Sequence, residues 1–164
     1  MEDNEFEATV KLITKLILTQ PRKMIREEDL QNLSKNFNFE KIMSKIYLNL
    51  KNIGFEFIKS KLQNDTYYIL TSEGKDDTIS PSQYGTLALL IAMSKEVDDN
   101  LKIKDLKEIF SEVWESDIEF LLKNDYLIKI EDLGAIVVSP LGKALMKNII
   151  QDLDLKNLLD IFTN

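Results

Sequence analysis

The chain has 164 residues, 21 Lys plus Arg against 28 Asp plus Glu, 44% apolar residues, five Gly, three Pro and neither Cys nor His. That profile suits one ordinary globular domain or two small ones. Without His and Cys there can be no Ser-His-Asp triad, cysteine nucleophile, imidazole proton shuttle or thiolate zinc site, since each needs a group this chain lacks.

A carboxylate-held Mg²⁺ site for phosphoryl transfer would still need a phosphate-cradling loop. The pair Gly74-Lys75 lacks the earlier glycine and the spacing of such a loop, and Asp98-Asp99-Asn100 has no glycine or distal Glu at calcium-loop offsets. The expectation is a non-enzymatic protein with no catalytic residue, metal, cofactor or small-molecule substrate. Met1 to Glu7 holds four acids and no base, the reverse of a secretory leader, and no apolar run approaches the ~18 residues that cross a bilayer. A cytoplasmic, nucleoid-associated protein without membrane contact is expected. The net charge of -7 is unevenly spread: residues 1–76 hold 12 bases and 12 acids, residues 77–164 hold 9 and 16. Only the first half is suited to meeting phosphate.

In chain order, Phe6, Val10, Ile13, Leu16 and Ile17 recur at three and four, predicting a helix from about Glu5 to Thr19 that Gln20-Pro21 ends. A short helix follows from about Glu27 to Lys35. A longer one runs from about Phe39 to Ile53, stopped by Gly54. Phe55-Glu56-Phe57-Ile58-Lys59 and Thr66-Tyr67-Tyr68-Ile69-Leu70 read as strands of a hairpin around Gln63-Asn64-Asp65.

The order then repeats. Ser80-Pro81-Ser82-Gln83 can form a capping box with Pro at the first helical position, and Leu87 to Met93 is apolar nearly all round, so this helix is expected at the centre of the protein between the two copies. Helices near Ile103 to Phe110 and Trp114 to Asn124 precede a hairpin of Leu127-Ile128-Lys129-Ile130 with Ala135-Ile136-Val137-Val138. Ser139-Pro140 opens a helix to about Gln151, and Leu155 to Phe162 forms a short closing one. Three matched segments support duplication: Ile25 to Leu33 with Leu101 to Ile109, Leu50-Lys51-Asn52 with Leu122-Lys123-Asn124, and Thr71 to Lys75 with Ser139 to Lys143.

Three helices and a hairpin form a winged helix, so the fold class is mostly α with small β-hairpins (α+β), two winged-helix domains in tandem over residues 1–76 and 77–164. Such folds commonly place the third helix in the major groove. The candidate DNA-binding residues are Arg22, Lys23, Arg26, Lys41, Lys45, Lys59 and Lys61, with Lys51 on the same helix. The same residues also read as a solvated surface whose bases are cancelled by Glu27, Glu28, Asp29, Glu40 and Glu56. In the second copy Glu115, Asp117 and Glu119 oppose one Lys123, which would push carboxylates toward phosphate with no counterion gain. Trp114 is either a core anchor or an interface residue. Leu155, Leu158, Leu159 and Phe162, with Ile161, either close the second core or bind a partner.

Ile53-Gly54-Phe55-Glu56-Phe57-Ile58-Lys59 leading to Tyr67-Tyr68-Ile69-Leu70 resembles the MAGE-homology domain. The stretch from Ser80 through Leu87-Ala88-Leu89-Leu90-Ile91-Ala92 resembles the ScpB family of bacterial condensin subunits, although Met93-Ser94-Lys95-Glu96-Val97 lacks the Tyr and Pro usual there. Both families are kite proteins, and the resemblance spans most of residues 5 to 150. It implies a tandem winged-helix subunit that binds kleisin and SMC proteins, of a kind that often dimerises; the bases of the first copy add the expectation of weak, non-specific DNA contact. The residues also leave open a winged-helix transcription regulator, or a bridging subunit of the ESCRT or general-transcription-factor type.

Overall fold

The computed structural model describes residues 2–34, 36–72 and 78–147. The chain divides into two compact units, residues 1–76 and 77–164, each taken here by itself.

In unit 1, α1 (Glu2–Thr19) begins earlier than the apolar stripe alone predicts. Asp3 and Glu5 favour a helix N-terminus electrostatically, which adds a turn ahead of the apolar stripe. Val10, Ile13 and Ile17 are buried, with Phe6 and Leu16 packed beside them. After Pro21 the chain makes a strand that periodicity did not reveal, β1 (Met24–Arg26), which pairs antiparallel with β3 (Asp65–Ser72) through Met24↔Ile69 to Arg26↔Tyr67. Three residues are too few to show alternation.

The helix α2 (Glu27–Leu33) ends short of Lys35, which lies outside the described residues. Asn38 caps α3 (Phe39–Asn52) by accepting from the Lys41 amide. The α3 residues Ile42, Met43, Ile46 and Leu50 are buried, and Gly54 at φ 85° turns the chain into β2 (Phe55–Leu62). The β2–β3 loop is only Gln63-Asn64, because Asp65 already pairs with Leu62 as the first residue of β3. The sheet order is β1-β3-β2.

Unit 2 repeats this plan. The capping box is formed: Ser80 Oγ accepts from the Gln83 amide, Gln83 Oε1 accepts from the Ser80 amide, and Pro81 opens α4 (Pro81–Glu96). Thr86, Leu87, Leu90, Ile91, Ala92 and Ser94 of α4 are buried. A second overlooked strand, β4 (Leu101–Lys102), leads into α5 (Ile103–Ile109), as β1 leads into α2. Leu101 and Leu106 are buried where Ile25 and Leu30 are buried in unit 1, so the first matched segment marks equivalent positions.

The expected helix from Trp114 to Asn124 is instead broken into a 3₁₀ turn (Ser111–Val113), a π turn (Trp114–Ile118) and α6 (Glu119–Lys123). The echo of Leu50-Lys51-Asn52 in Leu122-Lys123-Asn124 is one residue out of step. At the end of α6 the Asp125 amide donates to the Leu122 carbonyl and the Tyr126 amide to the Leu121 carbonyl, with Asp125 at φ 62°. That is a Schellman end whose third-last residue is Leu121, fully buried like Leu50. Asp125 therefore stands where Gly54 stands, and the shared letters hid the true equivalence.

The strands β5 (Leu127–Ile130) and β6 (Ala135–Val138) pair through Leu127↔Val138 to Ile130↔Ala135, and β4 completes the order β4-β6-β5. All four residues of β6 are buried. Ser139 caps α7 (Pro140–Leu145) by accepting from the Gly142 amide. Gly142 lies so close to the chain that a Cβ there would collide with the Tyr126 carbonyl oxygen. α7 itself runs to Leu145, with Met146 as its C-cap; residues 148–151 of the expected helix, the segment Leu155 to Phe162, and Gly74-Lys75 lie outside the described residues.

Candidate functional site

The surface of unit 1 formed by α3 and the wing is where a winged helix usually meets its partner. Several of its cations are already engaged. The Arg26 guanidinium donates to Glu28 at 2.9 Å and to Asp65 at 3.1 Å, and Asp65, followed by Glu28, holds its pKa above the ordinary value. Lys59 donates to Glu27 at 2.8 Å, which raises its own pKa. Lys45 lies 3.7 Å from Glu7, and Lys41 sits 5.4 Å above the Phe6 ring. Arg22 and Lys23 are exposed and each has an interaction partner, while Lys61 is exposed near the wing tip. The structure therefore spreads the seven candidate residues over β1, the segment before it, α3 and β2, and pairs three of them with carboxylates.

Beside these cations lies an apolar groove of about 440 Å³ lined by Met43, Ser44, Tyr47 and Leu48 of α3, Phe57 and Lys59 of β2, and Tyr68 of β3. Its floor is ordered by aromatic contact. Phe57 and Tyr68 stack at 5.0 Å with planes 18° apart, and Lys59 caps the Tyr68 ring at 5.5 Å. Burial pushes the Tyr68 phenol up, while Lys59 pulls it down. The rim is not buried: Tyr47 is 43% and Leu48 55% exposed. Helical spacing alone assigns Tyr47 to the inner stripe. The structure turns it outward because Met43, Ile46 and Leu50 already fill the interior side of α3.

The matching surface of unit 2 is built differently. Glu115 and Glu119 are exposed, but Asp117 is 2% exposed and so is not part of an acidic surface. Its Oδ2 accepts from Ser82 Oγ and Thr86 Oγ1, both at 2.7 Å, and its Oδ1 from Ser116 Oγ at 2.9 Å. Burial alone would push this carboxyl up, yet the hydroxyls of Thr86, Ser82 and Ser116 hold it below its ordinary value. Gln83 also donates to the Ser116 carbonyl at 3.0 Å, tying α4 to the π turn a second time. A π turn rotates its residues relative to an α-helix, which aims Asp117 inward. Trp114 is half-buried beneath Lys107, 5.4 Å from its ring centre, between the core and interface positions expected of it. Leu155, Leu158, Leu159 and Phe162 lie outside the described residues.

Among the described residues no group of three or more His, Cys, Asp or Glu is placed to hold a metal, and no helix is long and apolar enough to cross a membrane. The arrangement can bind and align a partner through apolar contact and charge.

Each unit is thus a winged helix, and the chain has a tandem winged-helix fold. No family model matches it. A chain of the solved Nse1-Nse3-Nse4 complex matches with a TM-score of 0.58 and 11% identity, over 88% of this chain and 75% of that one, a likeness of fold. A curated protein of Borreliella burgdorferi (strain ATCC 35210 / DSM 4680 / CIP 102532 / B31), the putative ankyrin repeat protein BB_B28, is 29% identical over 111 residues, 64% of this chain. The chain spans about a quarter of that relative's length, the match covering 24% of it. Ankyrin repeats pair two helices about every 33 residues. The repeat in the described residues is instead three helices and a wing.

Proposed function

We propose that this chain is a non-enzymatic kite-type subunit of an SMC-kleisin chromosome-organising complex, working as a scaffold in the cytoplasm at the nucleoid. Unit 1 grips a kleisin segment in the groove between α3 and the wing, the chain self-associates, and DNA is touched weakly and without sequence preference. The observation that carries this reading is the character of the two partner-facing surfaces. One offers an exposed apolar rim, Tyr47 and Leu48, beside cations already paired with acids. The other offers Glu115 and Glu119 where phosphate contact would need lysines. Both favour protein over nucleic acid. Likeness to a chain that belongs to a multi-protein complex is in keeping with this. The missing His and Cys support a non-enzymatic role.

The test is co-purification of the tagged chain from its own cells, with sedimentation of the pure protein. Recovery of an SMC ATPase and a kleisin is expected, together with a dimer. A monomer that brings down neither sinks the proposal.

A further inference from the structure

We propose that the outer edge of β2 and the adjoining side of α3 take an extended, acidic peptide of the partner as a fourth strand of the unit 1 sheet. This rests on the reading above only in taking the partner to be protein; it names the surface, the backbone form and the charge.

In the order β1-β3-β2, β2 is a terminal strand. It pairs with β3 over all eight residues, from Phe55↔Ser72 to Leu62↔Asp65, with no bulge and no proline. Among the described residues no other strand pairs with it, so its far side presents a row of backbone donors and acceptors. Proteins blunt such edges with proline, bulges or inward charge, and β2 uses only the last. Phe57, Lys59 and Lys61 alternate on one face, the face toward α3, where Phe57 and Lys59 line the groove.

That series determines what can be added. Same-face side chains of neighbouring strands lie about 5 Å apart. An apolar strand would strip water from Lys59 and Lys61, and a second copy of β2 would set lysine near lysine. A strand with acids opposite both lysines satisfies them. Glu27 takes one of the three donors of Lys59 and the Tyr68 hydroxyl engages a second, leaving one for the added strand. Opposite Phe57, the next residue of the same series meets Tyr47 and Leu48, which are exposed and need an apolar cover. The recognised peptide therefore carries two acids at alternate positions and a bulky apolar residue at the third.

The test uses the full chain and two synthetic eight-residue peptides, one with threonine at odd positions, glutamate at positions 2, 4 and 6 and leucine at position 8, so that acids and leucine share a face, the other with lysine in place of glutamate. Amide hydrogen exchange in Phe55–Leu62 and binding affinity are measured. The acidic peptide is expected to slow exchange at alternate β2 amides and to bind at least about tenfold tighter than the basic one. Lys61→Glu and Leu48→Glu should each remove most of that affinity without lowering the melting temperature. Equal affinity for both peptides, no binding by either, or changes confined to α3, as a docked helix would give, overturns the proposal. Undiminished recovery of an SMC-kleisin complex by the Lys61→Glu chain, whose altered residue lies outside the groove lining, would also overturn it while leaving the scaffold reading intact.

Discussion

Replacing Asp117 by Ala tests how unit 2 is held together. In the parent, three hydroxyls converge on one buried carboxylate and join α4 to the π turn. A hydrogen bond to a charged group contributes about 1.5–3 kcal/mol, but three on one acceptor are not additive. In the Ala variant, water can reach the hydroxyls of Ser82 and Ser116, which belong to exposed residues, whereas Thr86 is buried and loses its acceptor. A net loss of about 3 kcal/mol follows. For a unit of this size each kcal/mol moves the melting temperature by about 4–8 °C, so a fall of roughly 15 °C is expected.

Asp117→Asn keeps the shape and can turn its carbonyl toward Ser82 and Thr86, so it should lose only about 1 kcal/mol. Trp114, the single tryptophan, lies in the same turn and reports the transition by fluorescence. The pH dependence has a defined sign. The folded carboxyl titrates below its ordinary value, so its contribution is complete above pH ~4 and is lost as pH falls through the folded pKa. The difference between parent and Asn variant should therefore shrink on acidification. An Ala variant melting with the parent, or an Asn gap that widens in acid, would refute the reasoning.

Gly142→Ala should destabilise unit 2 by about 1–3 kcal/mol in the same fluorescence melt, since the new methyl meets the Tyr126 carbonyl and Val138. Two other glycines should respond with opposite signs in calorimetry. Gly85→Ala, in open space on α4, should stabilise by up to about 1 kcal/mol, and Gly54→Ala, at φ 85°, should destabilise by about 1 kcal/mol. Duplex DNA followed by fluorescence anisotropy should bind no tighter than about micromolar at physiological salt, and Lys41→Glu with Lys45→Glu should abolish that binding. Nanomolar, site-specific binding would instead favour a transcription regulator.

What could be read in advance depended on run length and on chemistry that acts locally. The stripe of Val10, Ile13 and Ile17, the Ser80-Pro81-Gln83 cap and the Gly54 stop each act within a turn or two, so adjacent residues suffice to show them. β1 and β4 depend on partners far along the chain, Ile69 and Ile136 among them, and are too short to show a period. The same limit explains the site. Lys41 and Lys45 were visible as surface cations, but Glu27 taking Lys59 and Asp65 taking Arg26 are meetings of distant segments. In sequence Asp117 stands with Glu115 and Glu119 as one acidic helix face, yet it is buried. The signal that could have placed it inside was the hydroxyl pair Ser82 and Thr86, four apart on one side of α4.

In both sheets the strand synthesised last lies in the middle: β3 separates β1 from β2, and β6 separates β4 from β5. On the ribosome, β1 and β4 emerge well before the segments that will hold them, and each must wait while two helices and another strand are made. Neither unit can close until translation has passed its central strand, Asp65–Ser72 or Ala135–Val138. Pausing or truncation upstream of either point would leave an open, sticky intermediate. A pause after the first has cleared the ribosome would instead hold a nascent chain whose first unit is already folded.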